Sequence, residues 1–234
     1  MEVQAPRQMA YDRAIVVFSP EGRMYQVEYA RKAVNKAMTI LGIVFKGGVA
    51  LVATKQTGKL IVSNKDEKIS MVDNHIIAGT CGILADSRVL IDFARIKAQI
   101  NRITYDEPIE INALVKELAD RNQRFTQVAG LRPYGVSLLI SGSSNGEPHL
   151  YETDPSGTIR EWKAHAIGRG AAKAAKALEE QYKEGMTKEQ AVALGIKALK
   201  EGEEVFSAHN VEIGIVEDGI ARILDKNEVR EFLK

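Results

Sequence analysis

Apolar positions along the chain fall into two alternating regimes. Short runs of β-formers come first, at residues 14–18, 39–45, 49–54, 60–63, 68–72 and 75–80, each too short for a buried helix. After the first run, Ser19-Pro20-Glu21-Gly22 predicts a turn, because Pro20 presets φ and Gly22 accepts a positive value. Residues 23–37 then contain no Pro or Gly, and Val27, Ala30 and Val34 recur at helical spacing, so a helix is expected there. Lys46-Gly47-Gly48 reads as a tight hairpin turn between two strands.

Past Cys81-Gly82 the period lengthens. Val89, Phe93, Ile96 and Ile100 predict a long helix with these residues on one face, broken at Asp106-Glu107-Pro108. Ile111, Leu114, Val115 and Leu118, spaced i, i+3, i+4 and i+7, predict a second helix. Strands return at 136–141, 149–152, 158–162 and 164–167, with turns at Asn145-Gly146 and Asp154-Pro155-Ser156-Gly157. Gly168-Arg169-Gly170 opens a third helix, with Ala171, Ala174, Ala175, Leu178 and Tyr182 as its packing face. Thr187 and Gln190 form the capping box of a fourth, which turns Ala191, Leu194 and Ala198 inward. A last hairpin, 211–216 and 220–224, turns at Asp218-Gly219, and a short charged helix follows. Repeated hairpins imply antiparallel sheets, and two helix pairs cover two sheet faces. The expected fold is α+β, a four-layer helix-sheet-sheet-helix sandwich, as a single domain over residues 1–234.

Composition narrows the function classes. A formal net charge of +1 offers no electrostatic case for nucleic acid or an anionic membrane. Cys81 is the only cysteine, so no intrachain disulfide can form, which suits a reducing cytoplasm. The first ten residues mix charge, Pro6 and polar groups without an apolar core. They predict a flexible arm and no secretory signal. No apolar run approaches membrane-spanning length.

Several motifs invite a chemical reading and do not sustain it. Gly142-Ser143-Ser144-Asn145-Gly146 matches the G-x-S-x-G pattern of a serine nucleophile elbow, but a strand rather than a helix follows, so it reads as a hairpin loop. Gly168-Arg169-Gly170 lacks the third glycine of a dinucleotide fingerprint and reads as a plain start to a helix. His75, His149, His165 and His209 fall on separate elements without metal-ligand spacing, so neither metal nor cofactor is expected. Cys81 lies in an apolar context and is expected to be a small core residue.

Other motifs carry a family likeness. Tyr11-Asp12-Arg13, Phe18-Ser19-Pro20-Glu21-Gly22-Arg23 and Gln26-Val27-Glu28-Tyr29-Ala30 resemble the N-terminal signature of α-type subunits of the 20S proteasome, most of all the archaeal single-type α subunit. The likeness continues through Arg88-Val89-Leu90-Ile91-Asp92, Ala98-Gln99-Ile100, Thr104-Tyr105-Asp106, Arg132-Pro133-Tyr134-Gly135-Val136-Ser137 and Tyr151-Glu152-Thr153-Asp154-Pro155-Ser156-Gly157. Motifs in the right order thus span nearly the whole chain. Val128-Ala129-Gly130 departs from the Tyr-Gly-Gly commonly found at that place.

The resemblance implies the same sandwich, of the N-terminal-nucleophile hydrolase type, and two stacked kinds of seven-membered ring. This subunit would form the outer homo-heptameric ring over proteolytic β subunits in the cytoplasm. Residues 1–10 would be a gating arm and 11–37 the α-type signature and helix. Catalytic relatives use an N-terminal threonine, an acidic residue ending the second strand, and a lysine. Here Met38 falls at the nucleophile position, Thr39 is internal, Thr54 stands at the acidic position, and only Lys68 persists. The resemblance therefore implies no catalytic residue. It assigns Lys68, Gly82, Ile83 and Ala37, the last a glycine in many relatives, to a pocket for C-terminal tails of a regulatory ATPase such as a proteasome-activating nucleotidase. Tyr11, Asp12, Pro20 and Tyr29 match the cluster that holds the gate open, for unfolded or ubiquitin-like-tagged proteins in transit. Two alternatives stand beside this: a hydrolase processed to expose Thr39, and a structural ring protein without a gate.

Overall fold

A computed structural model describes residues 17–55, 60, 67–203, 206–207 and 210–233. The expected arm at residues 1–10, most of the strand expected at 14–18, the residues Tyr11, Asp12 and His209, and the strand expected at 60–63 beyond Leu60 lie outside them. Val17 and Phe18, the end of that first run, belong to no regular element.

The helix of the signature, α1 (Tyr25–Val34), buries Tyr25, Val27, Ala30 and Val34. It ends short of residue 37, and residues 35–39 link it to β1 (Ile40–Phe45). β2 (Gly48–Thr54) returns antiparallel, Phe45 opposite Gly48 across the expected Lys46-Gly47 turn. β3 (Ile69–Asp73) and β4 (Ile76–Gly82) lead into α2 (Leu84–Tyr105) and α3 (Ile111–Gln127). β5 (Val136–Ser144), β6 (Glu147–Thr153), β7 (Ile159–Glu161) and β8 (Ala164–Ile167) follow. Then come α4 (Ala171–Gln181), α5 (Lys188–Gly202), the hairpin of β9 (Val211–Glu217) and β10 (Ile220–Ile223), and α6 (Lys226–Phe232).

Two five-stranded sheets result, ordered β10-β9-β2-β1-β8 and β3-β4-β5-β6-β7, and every pairing is antiparallel. The period-2 alternation of the strands divides the core. On β1, Leu41 and Ile43 face α4 and α5, while Ile40 faces the opposite sheet. Ala78 of β4 and Leu138 and Ile140 of β5 pack under α2 and α3, and Ile77 and Leu139 turn to the inter-sheet layer. This is the four-layer sandwich expected. The sheets approach closely enough that a Cβ on Gly79 would lie 2.1 Å from Ile40 Cδ1. The loop at 142–146 is a strand hairpin, with Asn145 and Gly146 at φ 53° and 82°. The Thr187–Gln190 capping box forms with both reciprocal bonds, at 3.3 and 2.9 Å.

One packing expectation is corrected. α2 forms as a long helix, but its sheet-facing side is Leu90, Ile91, Ala94 and Ala98 with Asp86 and Ser87. Of the expected stripe, Phe93 packs at the margin of that core, while Val89, Ile96 and Ile100 are exposed. Two apolar stripes run along this helix at 3.6 spacing. The one carrying small residues lies on the sheet, because Ala94 and Ala98 let the helix axis come close.

Candidate functional site

Four of the residues singled out in the sequence lie at the strand ends next to residues 35–39. Thr39 precedes β1, Thr54 ends β2, Lys68 precedes β3, and Thr80-Cys81-Gly82 ends β4. All four of Thr39, Thr54, Lys68 and Thr80 are buried.

Thr39 is spoken for on every side. Its main-chain N–H donates to Glu203 Oε1 at 2.7 Å, its hydroxyl accepts the N–H of Gly170 at 2.9 Å, and its carbonyl accepts the Thr54 N–H at 3.1 Å and hydroxyl at 3.3 Å. Glu203 also binds the Arg169 guanidinium, through Nε at 2.8 Å and through an ion pair at Nη2. Burial pushes the Glu203 carboxyl up, yet the Arg169 and Thr39 donors outweigh it and hold it below the usual carboxylate range. Gly168-Arg169-Gly170 therefore leads into a helix as expected, with the Gly170 N–H on the Thr39 hydroxyl and the Arg169 guanidinium on Glu203.

Lys68 is 6% exposed. Its ammonium donates to the carbonyls of Met38 at 2.6 Å and Thr80 at 3.1 Å. Its N–H and that of Ile69 donate to Glu212 Oε2 at 2.8 and 3.1 Å, and Lys55 pairs with Glu212 Oε1 at 3.1 Å. Burial lowers the Lys68 pKa, with Cys81, Glu203 and Glu212 opposing. Burial likewise raises that of Cys81, whose thiol also reaches the Met38 carbonyl, at 3.4 Å. Cys81 is a core residue, as expected.

The residues assigned to a tail pocket converge on this place. Ala37 lies next to Met38, and its carbonyl accepts the Arg169 N–H at 2.9 Å. Gly82 sits at φ 136°, with the space for a Cβ filled by the Gly135 carbonyl at 2.0 Å, so only glycine fits. Ile83 is tied through its N–H to Gly135 O at 3.0 Å, and its partly exposed side chain covers Gly135 beside Ala33 of α1. Asp86 fixes that corner by accepting both Arg132 Nη groups, at 2.6 and 2.7 Å, and the Gly135 N–H at 2.9 Å. Of the expected gate residues, Pro20 lies in the turn before α1, and Tyr29 is exposed on α1, stacked on Tyr25 at 6.4 Å with Lys32 over its ring. The other two, Tyr11 and Asp12, are among the residues not described.

Sequence reasoning missed the two acids that organise this centre. Glu212 had a signal, since it interrupts the inter-sheet face of an otherwise apolar strand. Glu203, just past the end of α5, had none. Three of the histidines have local partners: His75 bonds the Ile109 carbonyl at 2.8 Å, His149 pairs with Glu161, and His165 stacks on Trp162 at 4.0 Å. Among the described residues no group of three or more His, Cys, Asp or Glu could hold a metal, and no helix is long and apolar enough to cross a membrane.

Residues 34–216 match the proteasome subunit family, and residues 11–33 match the N-terminal signature of its A-type subunits. Curated relatives are named as alpha subunits of the proteasome. That of Methanoregula boonei is 48% identical over 99% of this chain and 98% of its own length. Those of Archaeoglobus fulgidus and Methanopyrus kandleri are 50% and 47% identical, over 97% and 100% of this chain and 94% and 96% of theirs. On this full-length similarity, with both the fold and the N-terminal signature in agreement, the chain belongs to the α-type subunits of the proteasome family.

Proposed function

We propose that the chain is a non-catalytic subunit of the outer ring of a 20S proteasome core in the cytoplasm. Copies of it form a homo-heptameric ring over β subunits that carry the threonine active sites. The observation that carries the silent assignment is the Thr39 amide. A threonine nucleophile of this class needs a free α-amine as its base, whereas this nitrogen is a peptide N–H donating to a buried carboxylate. Met38 occupies the nucleophile position and Thr54 brings no charge to the acidic one.

The ring's work is to admit unfolded or ubiquitin-like-tagged chains and exclude folded ones, with residues 1–10 as the gate and Tyr11, Asp12, Pro20 and Tyr29 holding it open. Regulatory ATPase tails dock at Lys68, Gly82, Ile83 and Ala37. Support for docking is the convergence of these residues on one corner beside α1. A desolvated ammonium also binds a carboxylate more strongly than an exposed one does. Support for stacking on β subunits is the exposed face of α2, where Val89, Ile96, Ile100 and Ile103 stand in water at helical spacing.

The test uses particles assembled with β subunits. Lys68→Ala abolishes ATPase-stimulated peptide hydrolysis while negative-stain images still show intact rings, and deletion of residues 1–10 speeds hydrolysis without an activator. Stimulation unchanged in Lys68→Ala rejects the docking role. Peptidase activity in the chain without β subunits, lost on Thr39→Ala, rejects the silent assignment in favour of a hydrolase processed at Thr39.

A further inference from the structure

The two sheets are tied differently along their two open sides. Beside β10 the tie is main chain: the Ala221 N–H donates at 2.8 Å to the carbonyl of Asn74, in the turn after β3. On the other side β7 and β8 are the edge strands, and the chain crosses between the sheets in two residues, Trp162 and Lys163. Main-chain bonds pin this crossover at both ends, from the Trp162 N–H to the Leu150 carbonyl at 2.9 Å and from the Val44 N–H to the Lys163 carbonyl at 2.8 Å. Across the layer the contact is made by side chains. The parity that turns Leu150 of β6 and Ile167 of β8 into the inter-sheet layer turns Glu152 and His165 the same way. Trp162, the only tryptophan of the chain, lies flat on the His165 ring, with centroids 4.0 Å apart and planes within 6°. Its Nε1–H donates to Glu152 Oε2 at 3.0 Å, and His165 Nε2 lies 3.4 Å from the same oxygen. One carboxylate from β6, one imidazole from β8 and the indole of the crossover thus plug the layer at its β7–β8 side.

We propose that this plug is a proton switch: neutral His165 seals the side of the layer, and charged His165 leaves the stack for water and uncovers Trp162. The switch belongs to this corner alone and is independent of any docking role. A charged imidazole has little to gain by staying. Glu152, the acid facing it, already holds the indole N–H, and Arg160 of β7 competes for the same oxygen, its Nη1 3.8 Å away. From α1 and from the turn after β6, Arg31 and Asp154 face the same cleft, and they pair with each other at 2.7 Å. β1 sets Gly42 opposite His165, β5 brings Ser137 and α4 brings Ala171, none of them charged. The way out is also short, because the side chain already shows 21% of its surface. Burial lowers the His165 pKa, Glu152 raises it and Arg160 lowers it, with a net fall. The seal is therefore complete above the ordinary histidine pKa and is lost as pH falls through the lower folded value.

As the only indole in the chain, Trp162 reports the plug through its own emission. The purified full-length chain is taken from about pH 8 to about pH 5, the range in which a histidine changes charge, and acrylamide quenching is measured at each step. Quenching is expected to rise about twofold or more across that range, with far-UV circular dichroism unchanged. His165→Gln and His165→Phe, the second of which keeps a ring in the stack, are each expected to flatten the profile, and either variant suffices. His149→Gln, which removes a histidine on the other face of β6, is expected to leave the natural profile intact. A flat profile in the natural chain overturns the switch, and so does a step that survives in either His165 variant. A step lost in His149→Gln, or one accompanied by a fall in circular dichroism, also overturns it, since the cause would then be His149 or unfolding.

Discussion

The Glu203 carboxylate accepts the main-chain N–H of Thr39 at 2.7 Å, a buried bond that joins residues 164 positions apart. The same carboxylate anchors Arg169, and the next residue, Gly170, donates to the Thr39 hydroxyl at 2.9 Å. These bonds make a clasp between the start of β1, the start of α4 and the end of α5. Glu203→Ala should remove it, leaving the buried Thr39 N–H without this acceptor and taking one carboxylate partner from Arg169. The expected cost is about 2–3 kcal/mol, because hydrogen bonds to charged groups contribute more than neutral ones. Glu203→Gln keeps an acceptor for Thr39 and should cost about half as much. Urea unfolding of the purified chain measures both, and equal stabilities in the two variants would remove the clasp from this account.

Three buried carboxylates, Asp86, Asp154 and Glu203, are held below the usual range and shape how stability depends on pH. For Asp86, burial raises the pKa, while Arg132 and the Gly135 N–H together lower it by more. For Asp154, burial again opposes Ser156, Arg31 and the Thr158 N–H, which prevail. Glu203 follows the same pattern. A carboxyl with a depressed folded pKa binds its proton more readily when unfolded. Its contribution is therefore fully present above the ordinary carboxylate pKa and is lost as pH falls through the folded value. The urea midpoint should hold near neutral pH and decline below the ordinary carboxylate range. Asp86→Asn should start lower and decline less steeply, and parallel curves for the two proteins would contradict this.

The outline of the fold was legible in the residues because local signals and topology agree. Asn145-Gly146 and Asp218-Gly219 turn hairpins where expected, with Asp218 and Gly219 at φ 50° and 77°, and Thr187 with Gln190 caps α5. The α2 face was misread for a reason that periodicity cannot cure. Ile96 and Ala94 both lie at helical spacing, and the choice between two stripes is made by how near the helix can approach the sheet. Lys68, Gly82, Ile83 and Ala37 were named by family resemblance, and the partners that hold several of the candidate residues come from far along the chain. Glu212, 144 positions from Lys68, takes that residue's N–H, and Glu203, 164 positions from Thr39, takes its amide. Such pairings are products of topology and leave no local spacing to read.

Gly82 and Gly22 both adopt positive φ, at 136° and 74°, and make a paired test of the corner at the end of β4. At Gly22 a Cβ would meet nothing within 4 Å, so Gly22→Ala adds only backbone strain, about 1 kcal/mol. At Gly82 it would strike the Gly135 carbonyl, itself fixed by Asp86 and Ile83. Strain and overpacking then add, for about 3 kcal/mol or more. A protein of this size loses roughly 2–4 °C of Tm per kcal/mol. Calorimetry should therefore separate the two variants by several degrees, Gly82→Ala melting first. Coincident melting would mean that this corner yields.

The exposed stripe of α2 makes the sharpest separation between folding and assembly. Ile103 is 84% exposed and Ile96 57% exposed, so the chain's own core does not use them. Replacing Ile96 and Ile103 by Lys keeps good helix formers on an exposed face, and its effect on the isolated chain should stay within about 0.5 kcal/mol per site. If this face is what β subunits cover, the same two changes remove most of the burial of two large side chains, at about 1.5–3 kcal/mol each. They also bring two charges into an apolar contact. A loss of about 3 kcal/mol or more in association corresponds to a hundredfold or greater weakening. The double variant should therefore melt with the natural chain when alone, yet fail to co-purify with β subunits at concentrations where the natural chain does. Normal co-assembly would assign the stripe to some other contact, and a lowered melting temperature would mean that this side of α2 supports the fold after all.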